Sequence, residues 1–223
     1  MTSRSFQVQD FKIDDSSRCF VIAEIGHNHQ GNIDTAKNMI RSAVLAGASA
    51  VKLQKRSNRS LFTKDYFERP YNSENSFGDT YGEHREFLEF NRQQYIELQN
   101  YSSELGIIFF ATAFDFESAD FLQDLNVPAF KIASGDLKNI PLIKYLASFG
   151  KPLFISTGGG VLEDVDRVVG ELEGSKAPIC IMQCTAGYPP TWNELNLQVI
   201  SSFRDRYLDT VIGFSSHDNG IAM

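Results

Sequence analysis

The chain has 223 residues, 42% of them hydrophobic and 22% charged, the balance of an ordinary globular protein with room for one substantial core. Its 21 Lys and Arg face 28 Asp and Glu, a net charge of −7, which argues against bulk binding of nucleic acid and leaves any anionic ligand to a few local cations. No apolar stretch approaches the roughly 20 residues that span a bilayer, and residues 1–15 lack the apolar core of a secretory signal, so no membrane contact and a cytoplasmic location are expected.

In chain order, residues 1–18 are polar and read as a tail or a short hairpin closing the bottom of the fold. A strand-like run at 20–26 ends in AEIGHNHQG and is followed by helical spacing over 33–46, with Asn32 or Asp34 as cap and Gly47 at its close. The second strand is 50–54. Residues 55–91 then break the rhythm with a long charged and aromatic stretch that includes TYGEHREFLEF, either a substrate lid or a surface loop packed through its own aromatics. Helical spacing over 93–105, closed by Gly106, leads to a strand at 107–114, a helix at 117–125 and a strand at 129–134. A helix at 140–147, opened by Pro141 and closed by Gly150, precedes the strand at 152–157. The pattern continues with a helix at 162–172, a strand at 178–185, a helix at 195–203 and a strand at 209–216.

Strict strand–helix alternation implies parallel strands joined by crossovers. An open doubly wound sheet would favour one Gly-rich fingerprint after its first strand, whereas here polar residues follow every strand, as at the catalytic face of a closed barrel. The expected fold class is α/β, a TIM (β/α)8-type barrel truncated after strand 7, forming one incomplete domain over residues 1–223.

The polar strand ends define the candidate site. Glu24 is the candidate acid or base. His27 and His29, two apart in an extended run, face opposite ways and read as hydrogen-bonding residues more readily than as metal ligands. Lys52 and Gln54 share one face of their strand, so Lys52 either points into the pocket or pairs with a carboxylate, with Glu24 as the candidate partner. Lys131 repeats the pattern, with Ser134 three positions on. Two inward lysines with hydroxyls from Thr112, Ser134, Ser156 and Ser215 suit a phosphate or phosphoenol group. Ser156 opens STGGG, whose amides could form an anion nest. His217, in GFSSHDNG, is either a satisfied loop histidine or a divalent-metal ligand. Cys180 and Cys184 read as small buried residues.

Taken in order, AEIGHNHQGNIDTA, GASAVKLQ, TYGEHREFLEF, FFATAFD, FKIASGDL, KPLFISTG, CTAGYP and GFSSH resemble the N-acetylneuraminate (sialic acid) synthase family, from about residue 18 to the end. That resemblance implies a TIM-barrel enzyme that condenses phosphoenolpyruvate with the open aldehyde of an N-acetylated hexosamine, giving a nine-carbon 2-keto acid and phosphate. It implies that Glu24 handles the proton or water, and that Lys52, Gln54, Thr112, Lys131, Ser134, Ser156 and Ser215 hold phosphoenolpyruvate. Tyr188 lies near the amino sugar, and His217 is the first of two histidines that bind Mn²⁺ or Mg²⁺, the second lying beyond Met223. The resemblance further implies an antifreeze-like domain and an eighth strand beyond this chain, and a homodimer of the whole protein. The chain departs from the family pattern at Ala186, where Asn or Ser is usual, and at Ser216, where Asp usually precedes the histidine. The alternatives are a synthase for a related nonulosonic acid or a spore-coat sugar, and a non-catalytic ligand-binding fragment.

Overall fold

A computed structural model describes residues 4–220. The N-terminal stretch, apart from residues 1–3, which lie outside the described residues, is the hairpin of the two sequence-based options. Strands β1 (Ser5–Val8) and β2 (Phe11–Asp14) pair antiparallel with Val8 opposite Phe11.

Residues Phe20–Pro128 form one compact unit. It runs β3 (Ile22–Gly26), α1 (Ile33–Leu45), β4 (Ala50–Lys55), α2 (Asn58–Leu61), α3 (Lys64–Phe67), α4 (Tyr81–Leu88), α5 (Arg92–Glu104), β5 (Ile108–Ala113) and α6 (Phe116–Asp124). Its strands lie parallel in the order β3, β4, β5. The core is built from Ile25, Val51, Leu53 and Phe110 on the strands and Ile40, Tyr95, Leu98 and Leu122 on the helices, all buried. Asn32 caps α1 by accepting from the Thr35 amide, as its sequence position suggests.

Residues Ala129–Met223 form a second unit together with Met1–Cys19. Its elements are β6 (Phe130–Ile132), α7 (Ile140–Ser148), β7 (Leu153–Ser156), α8 (Leu162–Glu171), β8 (Ile179–Cys184), α9 (Gln198–Arg206) and β9 (Val211–Ser215). The strands again run parallel in chain order, β6 to β9. Seven parallel strands alternating with helices are the repeat of a TIM-type α/β protein. Gly47, Gly106 and Gly150 adopt φ of +81°, +70° and +71° after their helices, the left-handed turn in which a Cβ is strained.

Two sequence-based expectations change. The helix expected over 195–203 begins three residues later, after a 3-10 turn at Trp192–Glu194 and a left-handed Asn196. Residues 55–91 contain three helices, and their aromatics pack on one another: Tyr81 meets Phe62, Tyr66 and Tyr71 at 5.2, 4.9 and 5.5 Å between ring centres. Among the described residues no helix is long and apolar enough to cross a membrane.

Candidate functional site

The strand-end residues expected to act together form two groups, one in each unit. In the 20–128 unit, parallel register places Glu24 beside Lys52 and Gln54 beside Thr112. The Lys52 amine is nearly buried, at 5% exposure. It pairs with Glu24 and donates to Thr112 Oγ1 at 2.6 Å, while Gln54 Nε2 donates to Glu24 Oε1 at 3.3 Å. Of the two sequence readings of Lys52, the ion pair with Glu24 is the one realised. The pair is asymmetric, because Glu24 keeps 39% of its side chain exposed. A carboxylate that reaches solvent while a buried ammonium and an amide fix its direction is suited to exchanging protons with a ligand.

The two histidines are held by polar partners, as expected, but they meet rather than face opposite ways. They lie in a turn, with Gly26 and Gln30 at φ of +56° and +51°, and their rings meet edge-on at 5.7 Å. His27 Nε2 sits 3.3 Å from Glu89 Oε1. His29 stacks on Phe90 at 4.0 Å and accepts from the Gly31 amide. Burial, reinforced by the neighbouring His27, pushes its pKa down to about 4. Both are held structurally rather than aimed at Glu24. Glu89 also accepts from Lys55 at 2.8 Å. Burial opposes its charge, yet His27 and Lys55 hold the carboxyl below its ordinary value.

In the 129–223 unit, Lys131 is buried and donates to Ser156 Oγ and to the Ile132 carbonyl, both at 2.6 Å. Ser134 Oγ accepts from the Gly158 amide at 3.0 Å. Gly160 donates to the Thr157 carbonyl, so two amides of the expected anion nest are already engaged. Around Cys184 stand Ser215, its register partner on β9, Ser134 and His217. Burial would raise the thiol pKa, but these polar neighbours, His217 first, outweigh it and leave it below its ordinary value. Cys180, with burial alone dominating, is pushed up to about 12. The two cysteines are buried as expected, but only Cys184 joins the candidate site residues. Tyr188 is largely exposed and lays its ring 4.0 Å from that of His217. A cavity of about 590 Å³ beside this group takes in Thr157, Cys184, Thr185 and Ala186, but neither Lys131 nor Ser156.

Among the described residues no three His, Cys, Asp or Glu side chains are placed to hold a metal ion. His217, the expected ligand, lies against the Tyr188 ring, and the described donors do not by themselves assemble a site for a divalent ion. Sequence reasoning passed over Glu89, which anchors both Lys55 and His27, and Arg56. The signal for Arg56 was the alternation that links Lys52 with Gln54, carried one step further.

The NeuB family model matches residues 39–223. The N-acetylneuraminate-9-phosphate synthases of Mus musculus and Homo sapiens are each 44% identical over 205 residues, 92% of this chain and 57% of theirs. The N,N'-diacetyllegionaminic acid synthase of Legionella pneumophila is 33% identical over 92% of this chain and 59% of its own. The crystal structure of an N-acetylneuraminic acid synthetase from Leptospira borgpetersenii is similar at a TM-score of 0.86 and 28% identity, covering 99% of this chain and 72% of that one. The chain therefore spans a little over half the length of the curated relatives it matches.

Proposed function

The chain belongs to the NeuB family, and on that premise we propose that it carries the phosphoenolpyruvate-dependent part of a sugar-acid synthase. The acceptor is the open aldehyde of an N-acetylated hexosamine of the N-acetylmannosamine type, and the products are a nine-carbon 2-keto acid and phosphate. The observation that carries this reading is that each unit buries a lysine on one of its strands, Lys52 in one and Lys131 in the other, each bonded to a hydroxyl at 2.6 Å. A buried ammonium is costly unless it is matched, and phosphoenolpyruvate brings a phosphate and a carboxylate to match it. Ser134, Ser156, Ser215, Thr112 and Gln54 supply the remaining donors, and Tyr188 faces the sugar.

The enol carbon forms a bond to the aldehyde carbon, whose oxygen takes up a proton from solvent, and the former C2 of phosphoenolpyruvate is left cationic. Glu24 accepts one proton from the water that adds there. The bond from C2 to the phosphate oxygen then breaks, phosphate leaves with its electron pair and takes the remaining proton of the added hydroxyl, and that oxygen becomes the ketone. Lys52, paired with Glu24, fixes the direction of the carboxylate that receives the proton. These steps use this chain's own side chains. A divalent ion at His217 needs donors beyond those the described residues assemble there, and the whole protein is proposed to act as a homodimer.

The test is Glu24→Gln. The amide keeps the shape of the side chain but cannot take the proton, so formation of the keto acid should fall by at least about a hundredfold. Binding of phosphoenolpyruvate, measured by calorimetry, should survive, because Lys52 loses a competing carboxylate. Equal loss of both would remove Glu24 from catalysis. The legionaminic acid synthase relative supports a second reading, a related nonulosonic acid as product. An acceptor panel of differently acylated hexosamines separates the two.

A further inference from the structure

Glu24 lies on β3 directly before a break in register: β3 and β4 pair residue by residue as far as Glu24 and Lys52, slip there, and resume at Gly26. Gly26 is left-handed at φ +56°, and a Cβ on it would stand 3.1 Å from Glu24 Oε1 and 3.4 Å from Gln54 Nε2. The backbone of this turn thus runs against the carboxylate itself. Whatever fixes the turn fixes the direction in which Glu24 points, as at other bulges that re-aim a side chain.

His27 is the first side chain past the slip, and the turn it opens is gripped at three points by one short segment, the end of α4 and the two residues after it. Glu89 Oε1 stands 3.3 Å from His27 Nε2, the Phe90 ring stacks on His29 at 4.0 Å, and a Cβ on Gly31 would meet the Phe87 carbonyl at 2.5 Å. Lys55, the last residue of β4, ties this segment back to the strand. It donates to Glu89 Oε2 at 2.8 Å and to the Phe90 carbonyl at 3.4 Å, while Lys52 and Gln54 of the same strand hold Glu24. The contacts close a ring: Glu24 to β4, β4 through Lys55 to Glu89, Glu89 to His27, and His27 through Gly26 back to Glu24. The side chains of Glu89, His27 and Lys55 are only 8%, 10% and 14% exposed, so water replaces a lost member poorly. Neither ring nitrogen of His27 has a hydrogen-bond partner elsewhere among the described residues, which leaves Glu89 as its polar anchor.

We propose that His27 and Glu89 are a positioning pair for Glu24: Glu89, anchored on Lys55, holds His27 and through it the turn that aims the Glu24 carboxylate. Neither residue has to touch the reacting atoms. The pair gives the end of the long 55–91 stretch a task apart from covering a ligand. It rests on the synthase reading only for what Glu24 does once aimed.

The test reads the carboxyl carbon of Glu24 by nuclear magnetic resonance in protein labelled with carbon-13 at its glutamate carboxyls, the Glu24 signal being assigned by its loss in Glu24→Gln. His27→Ala should move that signal. His27→Gln, whose amide still offers Glu89 a donor, should leave it near its wild-type position. Keto-acid formation should follow the signal: in His27→Ala turnover should fall at least about tenfold with KM for phosphoenolpyruvate unchanged, the mark of a reacting group displaced rather than a binding site lost. His27→Gln should recover most of the turnover. Glu89→Gln, which removes the charge that gathers Lys55 and His27, should move the signal as His27→Ala does, and it decides if His27→Ala does not fold as judged by circular dichroism. An unmoved Glu24 signal, equal effects of His27→Ala and His27→Gln, turnover that stays at the wild-type level, or turnover lost in step with phosphoenolpyruvate affinity would each overturn the proposal. Failure of the synthase reading looks different: the wild-type chain then neither binds phosphoenolpyruvate nor forms the keto acid, while the Glu24 signal still reports whether His27 and Glu89 set its position.

Discussion

At the scale of single residues, burial and charge have been reconciled in different ways at neighbouring positions. Lys52 is paired with Glu24, whereas His29 has an acceptor role at Nδ1 and a ring stacked on Phe90, so its protonated form is disfavoured. The consequence for stability has a definite sign. With a folded pKa of about 4 against 6.5 when unfolded, the unfolded chain takes up a proton that the folded chain refuses. The contribution is therefore full above pH 6.5 and is lost as pH falls toward 4, about 3 kcal/mol in all. Glu89, lowered from 4.5, acts in a more acidic window. Its contribution is full above 4.5 and is lost only as pH falls through its folded value. Urea denaturation of the wild type and of His29→Gln between pH 7 and 5 checks this. The wild type should lose stability steadily through that range and the variant should lose much less; parallel curves would show that His29 does not govern the slope.

At the scale of elements, the tightest constraint lies in the loop after β7. A Cβ on Gly158 would stand 2.8 Å from Ser134 Oγ, 3.1 Å from the Ala186 amide nitrogen and 3.2 Å from Cys184 Sγ. One of these contacts is backbone and cannot swing aside. Gly158→Ala should thus displace Ser134 and the strand end of β8 together. The expected cost is about 1–3 kcal/mol, as for other overpacked sites, with weaker phosphoenolpyruvate binding; unchanged thermal stability and binding would show that the loop gives way freely. This crowding could not be read from STGGG, because it depends on three segments meeting. The strands themselves were legible: six of the seven expected runs contain the observed strand and the seventh, 50–54, falls one residue short of β4 (Ala50–Lys55), since buried parallel strands write continuous apolar runs. The helix at 195–203 was misplaced for a related reason. Leu195 is buried but precedes α9, and apolar spacing reports burial before it reports helix. The short helices within 55–91 are too brief for a 3.6-residue period, although Thr80 and Glu83 do form the capping box of α4. The placement of Glu24, Lys52 and Lys131 on their strands was readable because a polar residue in a buried strand needs a reason. Partners such as Glu89 lay in sequence too far away to be inferred.

At the scale of the whole molecule, chain order and structural unit diverge at the N terminus. The hairpin precedes β3 in sequence but clusters with residues Ala129–Met223. Phe6, Val8 and Ile13 are buried, and the Phe6 ring meets Phe154 of β7 edge-on at 5.7 Å. Arg4 donates to the carbonyl of Arg204 on α9, and Asp15 pairs with Arg4 and Arg204 at 3.6 and 3.4 Å. The exposed ion pairs add little, so the apolar side chains carry the attachment, at about 1.5–3 kcal/mol each as an upper bound. Deleting residues 1–15 should then destabilise one unit more than the other. Hydrogen exchange read by mass spectrometry should show amides of Phe130–Ile132 and Leu153–Ser156 losing protection while those of Ala50–Lys55 and Ile108–Ala113 keep theirs. Phe6→Ala should reproduce the direction at about 3 kcal/mol, the usual cost of emptying a buried aromatic site. If protection falls equally in both sets, the hairpin supports the fold globally; if it falls in neither, the buried face of the hairpin contributes nothing to the unit it joins.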